Sequence, residues 1–194
     1  MKATQKMRII SGTCRGRKLI SPGNNSIRPT SDRVRESVFN ILGEMVKGAS
    51  VLDLFAGTGA LGIESLSRGA RSAIFADVSR QSCRIIRQNT ELCKMTSQST
   101  IITCDLSKAS LPYQLTSEKF NLLFMDPPYN KGFVSATLDN NTLLDTLASD
   151  AVIIIEHAPG EPIPGELERV KLYDQRKYGK TVVSFLTPVE QSGI

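Results

Sequence analysis

From Ser50 to Glu156 the chain alternates between short apolar segments and longer amphipathic ones. Five apolar segments have the length of buried strands: Val51–Phe55, Ser72–Asp77, Thr100–Cys104, Phe120–Met125 and Ala151–Glu156. Helical patterns separate some of them, near Ala60–Arg68, Arg80–Lys94 and Ala136–Ala148. This alternation predicts an α/β fold with a mostly parallel sheet and helices on both faces. Two further strands, Glu168–Asp174 and Thr181–Leu186, follow a loop at Pro159–Pro164.

The first 45 residues have a different pattern. Two strand-like runs, Met7–Ser11 and Arg17–Ser21, flank the turn-rich Gly12–Gly16, which predicts a hairpin followed by a loop at Pro22–Ser26. A helix is predicted next, with Thr30 or Ser31 as its N-cap. Its apolar residues fall at helical spacing: Val34, Val38, Ile41, Leu42 and Met45. We therefore divide the chain into a basic N-terminal hairpin or arm, residues 1–26, and one compact domain, residues 27–194.

Positive charge is concentrated at the N-terminus. Residues 1–40 contain nine Lys and Arg against two acidic residues, hence +7, whereas the whole chain carries +5. Residues 41–194 therefore carry about −2. Such a basic segment, which includes Arg15, Arg17 and Lys18, suits a nucleic-acid backbone, although a merely solvated basic arm has the same composition.

The remaining composition is that of an ordinary globular protein, with 40% apolar and 22% charged residues. The longest aliphatic run, Ala151–Ile155, is far shorter than a membrane span of roughly 20 residues, and the N-terminus lacks the apolar region of a signal peptide. Four scattered cysteines and the single His157 favour reduced thiols and no metal site. We expect a cytoplasmic protein, and nothing in the sequence requires more than a monomer.

A glycine-rich turn follows the first strand of the alternating region. Gly57, Gly59 and Gly62 match the G-x-G-x-x-G spacing that brings backbone close to a nucleoside ligand. Asp77 ends the next strand, where a carboxylate can accept both hydrogen bonds from a ribose diol. These two features fit dinucleotides equally well. Asp53, however, places a carboxylate where a pyrophosphate would gain nothing, and Asp105 is positioned to accept from an adenine amino group. Alternatively, Asp53 stabilises the turn and Asp105 caps the segment beginning at Leu106.

The tetrapeptide Asp126-Pro-Pro-Tyr129 directly follows an apolar strand, at the sheet edge where open α/β sheets bind ligands. The two prolines restrict the backbone and leave carbonyl groups able to accept hydrogen bonds. The Asp126 carboxylate and the Pro127 carbonyl can then hold the two hydrogens of an exocyclic amine, and Tyr129 can stack on the ring that bears it. An activated methyl donor requires no protein nucleophile for transfer to this amine. The alternative is an ordinary turn between strand and helix.

Taken together, these motifs resemble the bacterial 16S rRNA guanine-N2 methyltransferases, and the resemblance extends over almost the whole chain. It includes Met7–Gly12, Arg17–Leu19, Val51–Gly62, Asp126–Tyr129, Glu156-His157 and Tyr178–Thr181, and its most specific element is Arg28–Asn40. It implies a Rossmann-like class I S-adenosylmethionine-dependent methyltransferase fold, with seven strands preceded by a small hairpin. It also implies transfer to a guanine N2 amine in 16S rRNA of small-subunit particles.

The resemblance further implies the roles of individual residues. S-adenosylmethionine would bind at Asp53, Phe55, Gly57, Gly59, Asp77, Asp105 and Leu106, and the target base at Asp126, Pro127 and Tyr129. The resemblance also suggests a substrate-site role for Arg28, Thr30 and Arg33, although these three, with Arg35, could instead pair with acids at a helix start. The charge of the N-terminal segment separately predicts RNA contacts for Arg15, Arg17 and Lys18. The family usually has glutamate in place of Asp77. We expect a structural role for His157, which lies at a strand end.

Three other functions remain open at this stage. An N6-adenine amino-methyltransferase acting on DNA or RNA uses the same kind of loop, although 194 residues leave little chain for a DNA-recognition segment. An NAD(P)-dependent oxidoreductase would use the same glycine turn. An RNA-binding assembly factor could keep the fold without catalysis.

Overall fold

The computed structural model describes residues 7–22, 32–106, 111–161, 163–165 and 167–189. Seven strands form one sheet in the order β3-β2-β1-β4-β5-β7-β6. They are β1 Ser50–Leu54, β2 Ser72–Asp77, β3 Ser99–Thr103, β4 Phe120–Met125, β5 Leu147–His157, β6 Val170–Tyr178 and β7 Thr181–Pro188. The first five are parallel, and β7 runs antiparallel to β5 and β6. The predicted class I methyltransferase fold is therefore confirmed.

Six α-helices within the described ranges cover the two faces of the sheet. They are α1 Asp32–Leu42, α2 Ala60–Ser67, α3 Arg80–Leu92, α4 Tyr113–Thr116, α5 Phe133–Leu138 and α6 Asn141–Leu144. Successive strand residues belong to opposite core clusters: Val51 packs with apolar residues of α1, α2 and α3, whereas Leu52 packs with those of α4, α5 and α6. This alternation follows from the two-residue period of a strand. None of the helices in the described ranges is long and apolar enough to span a bilayer.

Two predicted helices end differently in the structure. The segment predicted at Ala136–Ala148 forms the two short helices α5 and α6, because the Asn140 side chain accepts from the Leu143 N–H at 3.1 Å and starts a new helix. Its last two residues already belong to β5, which begins with Leu147 pairing with Phe120. After α1, a 3₁₀ turn at Gly43–Val46 buries Val46 and leaves Met45 48% exposed, contrary to the predicted helical face.

Smaller differences concern the ends of other elements. Leu92, predicted on the inner face of α3, is 41% exposed because it is the last residue of the helix. Strand β6 continues to Tyr178, since it pairs with β7 as far as the turn at Gly179. The predicted loop beyond Pro22 and the predicted caps Thr30 and Ser31 lie outside the described residues.

The predicted N-terminal hairpin (residues 7–21) is present, although its pairing is too short to form strands. One antiparallel bridge joins Arg8 to Lys18, and the Ile9 and Leu19 N–H groups donate to Arg17 and Met7 carbonyls at 2.9 Å. Met7, Ile9 and Leu19 are buried in the same core cluster as α1, α2 and α3. The division of the chain at residue 26 remains a prediction.

Buried polar side chains fasten this hairpin along α2 and α3. The fully buried Glu64 carboxylate accepts from the Ile10 and Ser11 N–H groups at 2.7 and 3.0 Å. Asn89, also fully buried, exchanges two hydrogen bonds with the Ile20 backbone, at 2.7 and 3.0 Å. Gly12 approaches α2 so closely that a Cβ would lie 1.8 Å from the Ser67 carbonyl oxygen. The hairpin turn therefore lies at the C-terminal end of α2, and its open end lies at the helix N-terminus.

Candidate active site

A cavity of about 580 Å³ opens at the carboxyl ends of the parallel strands. Of the residues predicted to bind the cofactor or the target base, all except Gly59 border it: Asp53, Phe55, Gly57, Asp77, Asp105, Leu106, Asp126, Pro127 and Tyr129. The topology explains this meeting, because the carboxyl ends of adjacent parallel strands lie at one edge of the sheet. The structure therefore places these residues, which come from four separate chain segments, around one space.

The three glycines of the turn have different surroundings. Gly57 borders the cavity and has φ +56°, in the left-handed region that favours glycine. Gly59 has φ +76°, and a Cβ there would lie 3.2 Å from Ile86 of α3, so this glycine faces the helical layer. A Cβ on Gly62 would lie 2.3 Å from the Phe75 ring, so this position requires glycine for packing of α2 on β2. Only the first glycine is placed to approach a ligand.

Asp77 holds the glycine turn in place. One carboxylate oxygen accepts from the Gly57 N–H at 2.8 Å and the other from the Ser79 N–H at 2.7 Å. A carboxylate can accept about four hydrogen bonds, so Asp77 retains capacity for a ribose diol. Its side chain is one methylene shorter than the glutamate expected from the resemblance, and both of its oxygens reach the loop backbone.

Asp53 is a buried carboxyl group at the base of the cavity. It accepts from the Gly62 N–H at 2.9 Å, in the first turn of α2, whose preceding residue Gly59 supplies no side-chain cap. Burial, opposed by this bond and reinforced by the Asp77 charge, raises the pKa of Asp53 from 3.8 to about 8. Asp53 thus stabilises the turn, and it also borders the cavity, so the two interpretations of this residue are compatible.

Two aromatic residues form an apolar wall of the cavity. Phe55 has φ +57°, a conformation that costs a side-chain-bearing residue of order 1–3 kcal/mol and that clusters at functional sites. Its ring lies 5.2 Å from that of Phe133, centroid to centroid. Val78 adds an apolar side chain that is 65% exposed and follows Asp77 directly. Neither Phe133 nor Val78 was predicted to lie at the site, although a large apolar residue directly after a strand-end carboxylate, as at Val78, is a recognisable signal.

The Asp126–Tyr129 loop is tied to the neighbouring strands. The half-buried Tyr129 hydroxyl donates to Glu156 Oε1 at 3.0 Å and lies 3.2 Å from Thr181 Oγ1. Burial, with a further contribution from Glu156, raises the pKa of Tyr129 to about 12, so the phenol keeps its proton. Beyond it, Asn130 has φ +57° and donates its N–H to Glu161 at 2.7 Å. These contacts hold the C-terminal end of the loop, and strand β4 ends directly before its first residue.

Glu156 and His157 at the end of β5 face different surroundings. Glu156 borders the cavity, a placement that the sequence analysis did not assign to it. His157 is buried, and its Nδ1 and Nε2 atoms lie 3.0 and 2.8 Å from the Ala158 carbonyl and the Ser184 hydroxyl. Because a carbonyl only accepts, Nδ1 donates to Ala158, and in the neutral ring Nε2 then accepts from the Ser184 hydroxyl. His157 joins strands, in agreement with its predicted structural role.

Of the residues predicted to bind RNA, those that the structure describes do not border the cavity. Arg15, Arg17 and Lys18 are exposed on the N-terminal hairpin, whose turn is one length of α2, about 12 Å, from the helix N-terminus. Arg33 is exposed in the first turn of α1. Arg35 is fully buried and pairs with Asp32 at 3.0 Å, which is the alternative predicted for this group of residues. Arg28 and Thr30 lie outside the described residues.

Histidine, cysteine and carboxylate side chains form no metal-binding group of three or more within the ranges that the structure describes. The four thiols at Cys14, Cys83, Cys93 and Cys104 are unpaired by disulfides.

Comparisons with known proteins identify the relatives of this chain. The family model described as Conserved hypothetical protein 95 matches residues 7–187. Ribosomal RNA small subunit methyltransferase D of Escherichia coli K12 is 36% identical over 180 residues, covering 89% of this chain and 88% of that protein. Putative rRNA methyltransferase YlbH of Bacillus subtilis is 35% identical over 181 residues, covering 92% and 97%.

A solved structure described as putative methyltransferase yhhF from Escherichia coli has a TM-score of 0.82 and 32% identity, covering 96% of this chain and 99% of that one. The fold, the position of the cavity and these matches agree with one another. The chain therefore belongs to the Conserved hypothetical protein 95 family of methyltransferases, as ribosomal RNA small subunit methyltransferase D does.

Proposed function

We propose that this protein transfers a methyl group from S-adenosylmethionine to the N2 amine of a guanine in 16S rRNA of small ribosomal subunit particles, in the cytoplasm. The observation that carries the proposal is the Asp126–Tyr129 loop beside the nucleoside-sized cavity. The rRNA substrate is supported by the names of the relatives, and the guanine by the resemblance of the sequence.

The residues around the cavity fit this cofactor. Gly57 allows close approach of backbone, Asp77 can accept from a ribose diol, and Asp105 can accept from an adenine amine. Phe55, Val78 and Leu106 offer apolar contact to a flat base. The buried Asp53 carboxyl group has a pKa of about 8, and a cationic ligand nearby would lower that pKa and favour the ionised form. When bound here, S-adenosylmethionine supplies an activated methyl group.

The protein's part in catalysis is to position and polarise the amine. The Asp126 carboxylate and the Pro127 carbonyl accept the two amine hydrogens, which directs the nitrogen lone pair toward the methyl donor. The Asp126 charge offsets the positive charge that develops on nitrogen, and the carboxylate then accepts the proton that nitrogen loses. Tyr129 stacks on the target base, with its hydroxyl anchored to Glu156 and Thr181 so that the ring position is set in advance.

The N-terminal hairpin supplies the contacts to the RNA backbone in this proposal. Its exposed Arg15 lies at the hairpin turn, at the far end of α2 from the cavity, whereas Arg17 and Lys18 pair with residues nearer the open end. These cations would therefore contact phosphates at different distances from the target base. A substrate that reaches both places must present an extended surface. An assembled particle meets that requirement, and a single monomer suffices for it.

The test uses isotopically labelled S-adenosylmethionine with undermodified small-subunit particles, naked 16S rRNA and duplex DNA, followed by mass spectrometry of the labelled nucleoside. We expect N2-methylguanine from the particles. N6-methyladenine in DNA or RNA would retain the chemistry and refute the substrate. Tight NAD binding without S-adenosylmethionine binding would indicate an oxidoreductase, and binding to particles without transfer would indicate an assembly factor.

Asp126→Ala tests the mechanism in the same assay. We expect cofactor affinity to stay nearly constant and kcat to fall by roughly 100- to 1,000-fold, the loss typical of one preorganised electrostatic partner. Asp77→Ala is the matched comparison: it should weaken cofactor binding and leave RNA affinity unchanged. Normal turnover by Asp126→Ala would remove this carboxylate from the mechanism.

A further inference from the structure

Glu156 lies beside Asp126 at the edge of the sheet. Met125 pairs with Ile155 in the parallel β4–β5 ladder, so Asp126 and Glu156 are the next residues on adjacent strands. Adjacent strands are about 4.8 Å apart, and both residues border the cavity. The transfer reaction proposed above uses one carboxylate at the amine and gives the second, Glu156, a contact with Tyr129 but none with the substrate.

The surroundings of Glu156 fix it as a hydrogen-bond acceptor. Its residue is 8% exposed, and its Oε1 accepts from the Tyr129 hydroxyl at 3.0 Å. Since the raised pKa of Tyr129 keeps the phenol protonated, this bond persists at neutral pH. A carboxylate can accept about four hydrogen bonds, so Glu156 can accept from Tyr129 and from a substrate donor together.

The two adjacent carboxylates match the donor pattern of guanine. Guanine carries its N1–H donor next to the N2 amine, whereas adenine carries an N1 lone pair next to its N6 amine. The geometry points to Glu156 as a specificity-determining residue: it accepts from guanine N1–H while Asp126 and Pro127 hold the N2 amine. An adenine in this place would direct its N1 lone pair at the Glu156 carboxylate, so that N1 and the carboxylate would face each other with no hydrogen between them. This inference rests on the proposed function and adds the source of its base selectivity.

The test replaces the target guanine by 2-aminopurine, which keeps the N2 amine and presents a lone pair at N1. The replacement is made in 16S rRNA of reconstituted particles, at the guanine that the labelling assay identifies. For the wild-type protein we expect kcat/KM to be roughly 10- to 100-fold lower with 2-aminopurine than with guanine, the effect of one lost hydrogen bond to a charged group. Glu156→Gln should lower kcat/KM for guanine and raise it for 2-aminopurine, because an amide N–H can donate to N1.

Two controls separate recognition from structural support. Glu156→Gln keeps an oxygen for the Tyr129 hydroxyl, and its dissociation constant for S-adenosylhomocysteine should equal that of the wild type. Thr181→Val removes the other Tyr129 partner and leaves the carboxylate in place. It should change kcat/KM for both bases by the same factor.

The outcomes of this test separate the role of Glu156 from the proposed methylation of guanine. Equal rates with guanine and 2-aminopurine in the wild type, or equal losses on both in Glu156→Gln, would refute the role of Glu156 and leave guanine methylation intact. Methylation of adenine, or no transfer by the wild type, would refute the proposed function and the inference together.

Discussion

Replacing Asp53 by asparagine should change how the stability of this protein depends on pH. In the unfolded chain the Asp53 carboxyl group loses its proton near pH 3.8, whereas burial raises its pKa in the folded protein to about 8. Between these values the folded state binds more protons than the unfolded state, so stability falls as pH rises. Below pH 3.8 this contribution is fully present, and above about pH 8 it is fully lost.

The size of the effect follows from the pKa. Each pH unit within this window costs the wild-type protein about 1.4 kcal/mol relative to a variant that cannot ionise. Between pH 5 and pH 7, the free energy of unfolding of Asp53→Asn should therefore gain about 2.7 kcal/mol on that of the wild type. Asparagine is close in size to aspartate, and its side-chain oxygen can still accept from the Gly62 N–H.

Urea denaturation followed by circular dichroism at pH 5, 6 and 7 measures this difference. The slope against pH is the decisive quantity, because the packing cost of asparagine is constant and shifts only the offset. Asp150→Asn, at an exposed position in β5, is the matched control and should follow the wild-type curve. Parallel curves for Asp53→Asn and the wild type would show that Asp53 does not retain its proton on folding, and would refute the argument from burial.

Three further predictions concern packing, the N-terminal hairpin and the RNA contacts. Gly62→Ala should lower the free energy of unfolding by about 1–3 kcal/mol, because its Cβ would overlap the Phe75 ring, and Gly160→Ala, with nothing within 4 Å, should have no effect. Glu64→Gln should cost about 3 kcal/mol in the same measurement, since it removes the charge that pairs with Arg68 and leaves one oxygen for the two N–H groups of Ile10 and Ser11; a loss below 0.5 kcal/mol would contradict this. Neutralising the hairpin cations Arg15, Arg17 and Lys18 should make RNA affinity less dependent on salt, lowering the slope of log K against log salt concentration by about 0.7–0.9 per lost phosphate contact. An unchanged slope would show that these side chains are only solvated.

The sequence predicted the parallel strands well because each of them contains a local apolar run. Ser72–Asp77 and Phe120–Met125 have the predicted bounds, and the polar residues that follow each strand mark the edge of the sheet where the cavity lies. The helix predicted at Ala136–Ala148 was wrong because a single side-chain cap at Asn140 divides it. Helical periodicity continues across such a break, so the pattern alone does not reveal it.

Contacts between distant residues were beyond local patterns. Glu64 looks like an ordinary helical residue in the sequence, yet it accepts from backbone 53 and 54 positions away. Glu156 reads as the polar end of a strand, and its place beside Asp126 follows only from the register of β4 on β5. The contacts of both residues depend on which elements pack together, and composition and residue spacing do not reveal that packing.

The two halves of the N-terminal hairpin are fastened independently, and this has a consequence for limited proteolysis. Trypsin can reach the exposed Arg15 and Arg17 at the hairpin turn. A cut there would leave the first half bound to Glu64 and the second bound to Asn89. The nicked protein should therefore migrate as two fragments in denaturing electrophoresis, yet elute at the position of the uncut protein in native size-exclusion chromatography.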